Sequence, residues 1–235
     1  MPQLSYMVNE DWANENTTLV EQSTVIREWL GEPPYVFAVT NADHFTSDPQ
    51  HRPADFQFAR HIAPEASTRK KLNIRDLANL KRDQKAFDHP ITVVYPRADR
   101  DLDALDEAIK NDVLDKVFVM VWSPHDAVHA WLDGHGAINL HTGSTPEPLD
   151  PALLEAGQMI VREEYNGLST GNGKAAVVQL VRAFTKAGYP LDEHMWLRAF
   201  FAAGGTFRHA DQITTLIREM QSGITHRIRN RYGSV

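Results

Sequence analysis

The chain has 235 residues, 42% hydrophobic and 23% charged, with a formal net charge of -7. These proportions are those of a globular protein and exclude disordered and membrane compositions. The absence of cysteine excludes disulfides, thiolate metal sites and cysteine nucleophiles, and no apolar run approaches the ~20 residues that cross a bilayer. With no basic-then-apolar signal pattern at its start, the chain is expected to be cytoplasmic and to have no membrane partner. Charge is segregated: residues 1–50 carry 8 acidic and 1 basic side chains, 51–100 carry 6 and 11, and 101–150 carry 10 and 2. The acidic total disfavours an extended nucleic-acid surface but leaves room for a local one.

Residues 1–16 are polar and without period, so they are expected to fray. From 17 to 30, Leu19, Val20, Val25, Ile26, Trp29 and Leu30 fall on one helical face, and Gly31, Pro33 and Pro34 end that helix. Residues 35–40 read as a first strand. Residues 41–68, rich in Asp, His, Pro, Ser and Thr, read mostly as loop with a helical turn at 55–62. At 69–87, Leu72, Ile74, Leu77 and Leu80 recur at helical spacing among basic side chains, which predicts a basic amphipathic helix broken by His89-Pro90. A buried-type strand follows at 91–95. Residues 100–113 predict a helix with Leu102, Leu105, Ala108 and Ile109 inward and Asp101, Asp103, Asp106, Glu107 and Asp112 in solvent.

Residues 117–122 are an unbroken apolar run, the pattern of a strand buried on both faces. Ser123 then reads as an N-cap, with Pro124 at the first helical position and Asp126 placed as in a capping box. Val128, Trp131 and Leu132 make the apolar face of this helix, Gly134 stops it, and 137–141 reads as the next strand. Strands alternating with helices predict an α/β domain over 1–145, with a mainly parallel sheet of four to five strands and helical crossovers. Residues 144–151 contain three prolines and read as a linker. Beyond it, helices are expected near 151–166, 173–187, 192–203 and 209–222, an all-helical C-terminal region over 146–235 with Trp196, Phe200, Phe201 and Phe207 in its core and a basic tail.

Open parallel sheets bind ligands at their carboxyl edge. The residues after the expected strands are polar there: Thr40, Asn41, Asp43 and His44, then Arg97, Asp99 and Arg100, then Ser123, His125 and Asp126, then His141, Thr142 and Ser144. Arginine suits an anion and histidine suits proton transfer near neutral pH. Arg97, Ser123, His125, Asp126, His141 and Thr142 are therefore the expected contacts of a small phosphorylated or nucleotide-like ligand, with hydrolysis as a candidate chemistry. The plainer reading is that loops are polar and helices need caps. No nucleophile is assigned, because no elbow motif is present.

His125, His129 and Asp133 recur at i, i+4 and i+8, and two imidazoles on one helical face can share a metal. The sequence lacks a His-Glu-x-x-His motif, and the same side chains serve as the solvated face of an amphipathic helix, so no metal ligand is assigned. Residues 141–145 offer small hydroxyls around a glycine, either a phosphate cradle or a turn. Residues 167–174 resemble a P-loop but place Leu168 where its first glycine belongs and Ala175 where its hydroxyl belongs, which leaves a flexible connection between helices. The alternative function is a non-enzymatic regulatory or scaffold protein that contacts nucleic acid or a protein partner through its C-terminal helices, with Arg227, Arg229 and Arg231 facing phosphates from one side of a strand.

Several phrases, Phe118-Val119-Met120-Val121-Trp122, Trp131-Leu132-Asp133-Gly134, Leu140-His141-Thr142-Gly143, Glu163-Glu164-Tyr165-Asn166-Gly167-Leu168-Ser169 and the run from Trp196 to Gly205, resemble an uncharacterised protein family of actinobacteria. The resemblance spans roughly residues 90–232. It implies a bacterial cytosolic origin and says nothing about chemistry.

Overall fold

A computed structural model of the chain describes residues 2–15, 18–32, 35–47, 53–64, 73–79, 91–95, 102–111, 114–229 and 232. Within them the chain divides into two compact units: Met1–Val128 with Ala137–Pro146, and His129–Gly136 with Glu147–Val235.

The first unit is built on one sheet of six described strands, all parallel, in the order β3-β2-β4-β5-β1-β6. These are β1 (Gln3–Val8), β2 (Val36–Val39), β3 (Asn73–Asp76), β4 (Ile91–Tyr95), β5 (Lys116–Val121) and β6 (Ile138–Asn139). Four or five strands underestimates it, and two of the additions overturn specific expectations. The N-terminus does not fray: β1 pairs with β5 from Gln3↔Lys116 to Val8↔Val121 and with β6 at Ser5↔Ile138. Leu4, Ser5, Tyr6, Met7 and Val8 are all buried, and even the Ser5 hydroxyl is enclosed. The expected basic helix of 69–87 is overturned at 73–76, where β3 pairs with β2 and buries Ile74. Ile74 and Leu77 fit either period over so short a stretch, and pairing with a neighbouring strand decides between them. Residues 80–90 lie outside the described residues.

The short α1 (Asn9–Asn14) follows β1 directly, α2 (Leu19–Leu30) leads into β2, and α3 (Ala42–Ser47) and α4 (Pro53–Ile62) lie between β2 and β3 in the chain. Of the loop expected over 41–68, residues 42–47 and 53–62 are helical, while 48–52 and 65–68 lie outside the described residues. Thr18 and Glu21 close a capping box at the start of α2, and Gly31 takes φ +84° at its end. The register puts Met7, Phe37, Val39, Phe118 and Met120 in one cluster with Ile26 and Leu30 of α2 and Phe58, Ala59 and Ile62 of α4. Burying each such side chain contributes about 1.5–3 kcal/mol, so this layer carries much of the unit's stability. In α5 (Leu102–Lys110), Leu102, Leu105 and Ile109 are buried as expected. Asp106, expected in solvent, is buried as well, with its carboxylate 2.5 Å from the Lys110 ammonium one turn on.

The second unit is helical: α7 (Pro151–Glu163), α8 (Gly171–Lys186), α9 (Glu193–Ala202) and α10 (Phe207–Gln221), joined by residues 129–134 of α6 (Ala127–Gly134). Trp196, Phe200, Phe201 and Phe207 are buried in it, with Trp131 of α6. Two glycines let helices approach to backbone contact. A Cβ at Gly157 of α7 would lie 2.3 Å from the Ala199 carbonyl oxygen of α9, and one at Gly134 would lie 2.9 Å from that of Arg198. Asp150 caps α7 by accepting from Ala152 N–H, and Asp192 caps α9 by accepting from Met195 N–H. Glu164 does the same across the fold for α10, accepting from the Thr206 N–H at 3.0 Å and the His209 ring at 2.9 Å. No helix of the described residues is long and apolar enough to cross a membrane.

Candidate functional site

Of the residues expected at the carboxyl edge, Arg97, Asp99 and Arg100 lie outside the described residues. Ser123, His125 and Asp126 do follow β5, but as a turn closed on itself. The Ser123 N–H donates to Asp126 Oδ2 at 2.9 Å, the Asp126 N–H to the Ser123 carbonyl at 3.1 Å and the His125 N–H to Ser123 Oγ at 3.5 Å. The helix begins only at Ala127, because this turn consumes the capping groups the sequence offers at Ser123. His125 is exposed on the turn and so does not share a helical face with His129 and Asp133.

His141 and Thr142 follow β6. The Asn139 carboxamide oxygen accepts from both their N–H groups, at 2.9 and 3.4 Å, and the Thr142 and Ser144 hydroxyls meet at 2.6 Å. The His141 Nε2 lies 3.1 Å from Glu15 Oε1, while its ring meets Trp12 edge-on at 5.1 Å. Because β1 and β6 are neighbours, the segment after β1 and the turn after β6 share one end of the sheet. Trp12 and Glu15 carry no sequence signal as partners of His141; only the pairing of β1 with β6 brings them there. The Trp12 Nε1 is buried without a hydrogen-bond partner among the described residues.

At the other side of the sheet the chain passes from β2 outward to β3 and then returns to the far side of β2 as β4. Such a reversal opens a crevice beyond the carboxyl ends of the two strands between which it occurs. Thr40 and Asn41 follow β2 there, and Asp76 at the end of β3 accepts from the Ala42 N–H at 2.5 Å.

A separate cluster lies wholly in the helical unit. His129 and Asp133, one turn apart on α6, meet His194 of α9. The His194 Nε2 is 2.8 Å and the His129 Nε2 3.7 Å from the same carboxylate oxygen, Asp133 Oδ2. The two imidazoles face each other with centroids 4.6 Å apart and planes 54° apart. The i, i+4 pair was legible in sequence; its third member was not, since His194 stands 61 residues beyond Asp133. His194, not His125, completes the group.

The tail keeps only part of its expected form. Residues 224–229 have no regular structure, so Arg227 and Arg229 are exposed but not on a strand, and Arg231 lies outside the described residues. Arg182 anchors this segment by donating to the His226 carbonyl at 2.8 Å. In residues 167–174 the helix cap is Thr170, and a Cβ at Gly173 would meet the Gly167 carbonyl oxygen at 2.0 Å, so this glycine serves packing and not a phosphate.

Comparison of the chain with protein-family models, with curated proteins and with solved structures finds no significant match in any of the three.

Proposed function

We propose that the first unit binds a small phosphorylated or nucleotide-like ligand at the carboxyl edge of its sheet. The observation that carries this reading is the reversal of strand order between β2 and β4 in an all-parallel sheet. Thr40 and Asn41 stand at one lip of that crevice, and Arg97, two residues past β4 in the chain, supplies the cation for a phosphate. The His141–Glu15 pair at the β1–β6 end is a second polar contact, and a carboxylate-oriented imidazole can move a proton. Hydrolysis of the bound ligand is the chemistry proposed for that end.

The test is a thermal-shift titration of the full chain with nucleotides and sugar phosphates. A ligand at a hundredfold excess over its Kd stabilises the native state by about 2.7 kcal/mol, a shift of several degrees. Such a shift, lost in Arg97→Ala and reduced in His141→Ala, is the expected result. Absence of a shift with every phosphorylated compound, or a shift unchanged in both variants, rejects it. The second reading, nucleic-acid or partner contact through the tail, draws on the exposed Arg227 and Arg229 beside an open groove of about 550 Å³ that Arg182, Lys186, Met220 and Ile224 line. It takes over if low-salt DNA or RNA binding is seen and is lost on removal of residues 224–235.

A further inference from the structure

We infer that the helical unit carries a divalent transition-metal site of the zinc type, with His129 Nε2, Asp133 Oδ2 and His194 Nε2 as its protein ligands. The three donor atoms lie within 4.8 Å of one another. Ligands about 2.0–2.1 Å from a tetrahedral ion stand roughly 3.3 Å apart. The observed 2.8 and 3.7 Å separations from Asp133 Oδ2 bracket that value, so a small rotation of the carboxylate evens them around one ion.

Packing holds the donors in place. His129 and Asp133 project from one face of α6 by their i, i+4 spacing, and Gly134 follows at once, where the lack of a side chain lets α6 come against the Arg198 carbonyl of α9. His194 is one turn before Arg198 on that same helix. Close approach at Gly134 thus brings the two donors of α6 to the one of α9. A carbon at position 134 would push the helices apart at the point that sets this distance.

The donor chemistry selects the class of ion. Two imidazole nitrogens and one carboxylate oxygen suit zinc and its neighbours, whereas calcium and magnesium take oxygen ligands. Both imidazoles turn toward one carboxylate oxygen, and their rings lie with centroids 4.6 Å apart, the convergence of two nitrogens and one oxygen that a single ion can share. The side chains are 16%, 13% and 34% exposed for His129, Asp133 and His194, so the donors are sheltered but reachable. Three protein ligands leave a fourth position for water, the arrangement of reactive rather than purely structural zinc. This site shares no residue with the sheet edge and stands or falls independently of the ligand proposed there.

The experiment uses the untagged full chain, stripped with chelator and dialysed. Zn²⁺ is titrated by calorimetry and Co²⁺ by visible absorption, whose intense d–d bands report low coordination number. One ion per chain is expected, with a rise in Tm on loading. His129→Gln, Asp133→Asn and His194→Gln should each weaken binding by more than the roughly 10–100-fold that loss of an outer partner costs. His125→Ala, outside the cluster, should leave it unchanged. Far-UV circular dichroism of each metal-free variant guards against misfolding, and His194→Gln, at the most exposed of the three, is the variant on which the outcome rests. Sub-stoichiometric or absent binding overturns the site, as does binding that a folded His194→Gln retains at wild-type strength.

Discussion

Asp150 does two things with one carboxylate. Its Oδ1 accepts from the Ala152 N–H at the start of α7, and its Oδ2 accepts from the Tyr189 hydroxyl at 2.7 Å. The hydroxyl first and the backbone N–H second hold the Asp150 carboxyl below its usual range, while the same bond raises the Tyr189 phenol. A depressed carboxyl contributes stability above its unfolded pKa and loses it as pH falls through the folded value; the raised phenol contributes below its unfolded pKa and loses it as pH rises through the folded one. Tyr189→Phe should therefore lower Tm at neutral pH, with the gap from wild type closing as pH falls from about 5 to about 3. Thermal melts across that range check it. A gap of the same size at pH 3 as at pH 7 removes the Asp150 link.

Between elements, the controlling contacts are those where a side chain would not fit. Gly157 brings α7 against the Ala199 carbonyl, leaving 2.3 Å for a Cβ. Gly157→Ala gains helix propensity, worth under about 1 kcal/mol, but must separate two helices whose flanking side chains are already buried. Overpacking of that kind costs about 1–3 kcal/mol, so net destabilisation is expected in urea melts, while an unchanged midpoint means the helices slide freely. Those helices were legible because each repeats an apolar stripe and is bracketed by Gly or Pro; α7 to α10 lie close to where that pattern puts them. Short strands were not. Gln3–Val8 mixes Gln and Ser with apolar residues, and only pairing on both sides makes it a strand. Asn73–Asp76 offers one apolar residue, Ile74, too little to choose between a helix and an edge strand. The candidate sites follow the same division. His129 and Asp133 are visible as a helical spacing, and His141 as a residue after a strand. His194, Glu15 and Trp12 join them only through tertiary contact.

At the scale of the whole molecule, the decisive strand is the first. β1 stands between β5 and β6, so β6 reaches the sheet only through β1. Leu4, Tyr6, Met7 and Val8 are each at most 6% exposed. At about 1.5–3 kcal/mol apiece, their burial amounts to roughly 6–12 kcal/mol, comparable with the roughly 5–15 kcal/mol that hold a typical native protein together. Removing residues 1–8 also leaves a full edge of β5 unpaired and apolar, a surface that recruits other chains. The shortened chain, residues 9–235, should thus lose cooperative unfolding of its sheet unit and associate on size-exclusion chromatography. A dispensable, frayed terminus makes the opposite forecast: a monomer with its melting midpoint within about a degree of wild type, since surface changes rarely exceed ±0.5 kcal/mol. That result would detach β1 from the sheet, and with it the meeting of Glu15 and Trp12 with His141. The intact chain's dependence on its first eight residues is accordingly the premise on which the β1–β6 end of the proposed ligand site rests.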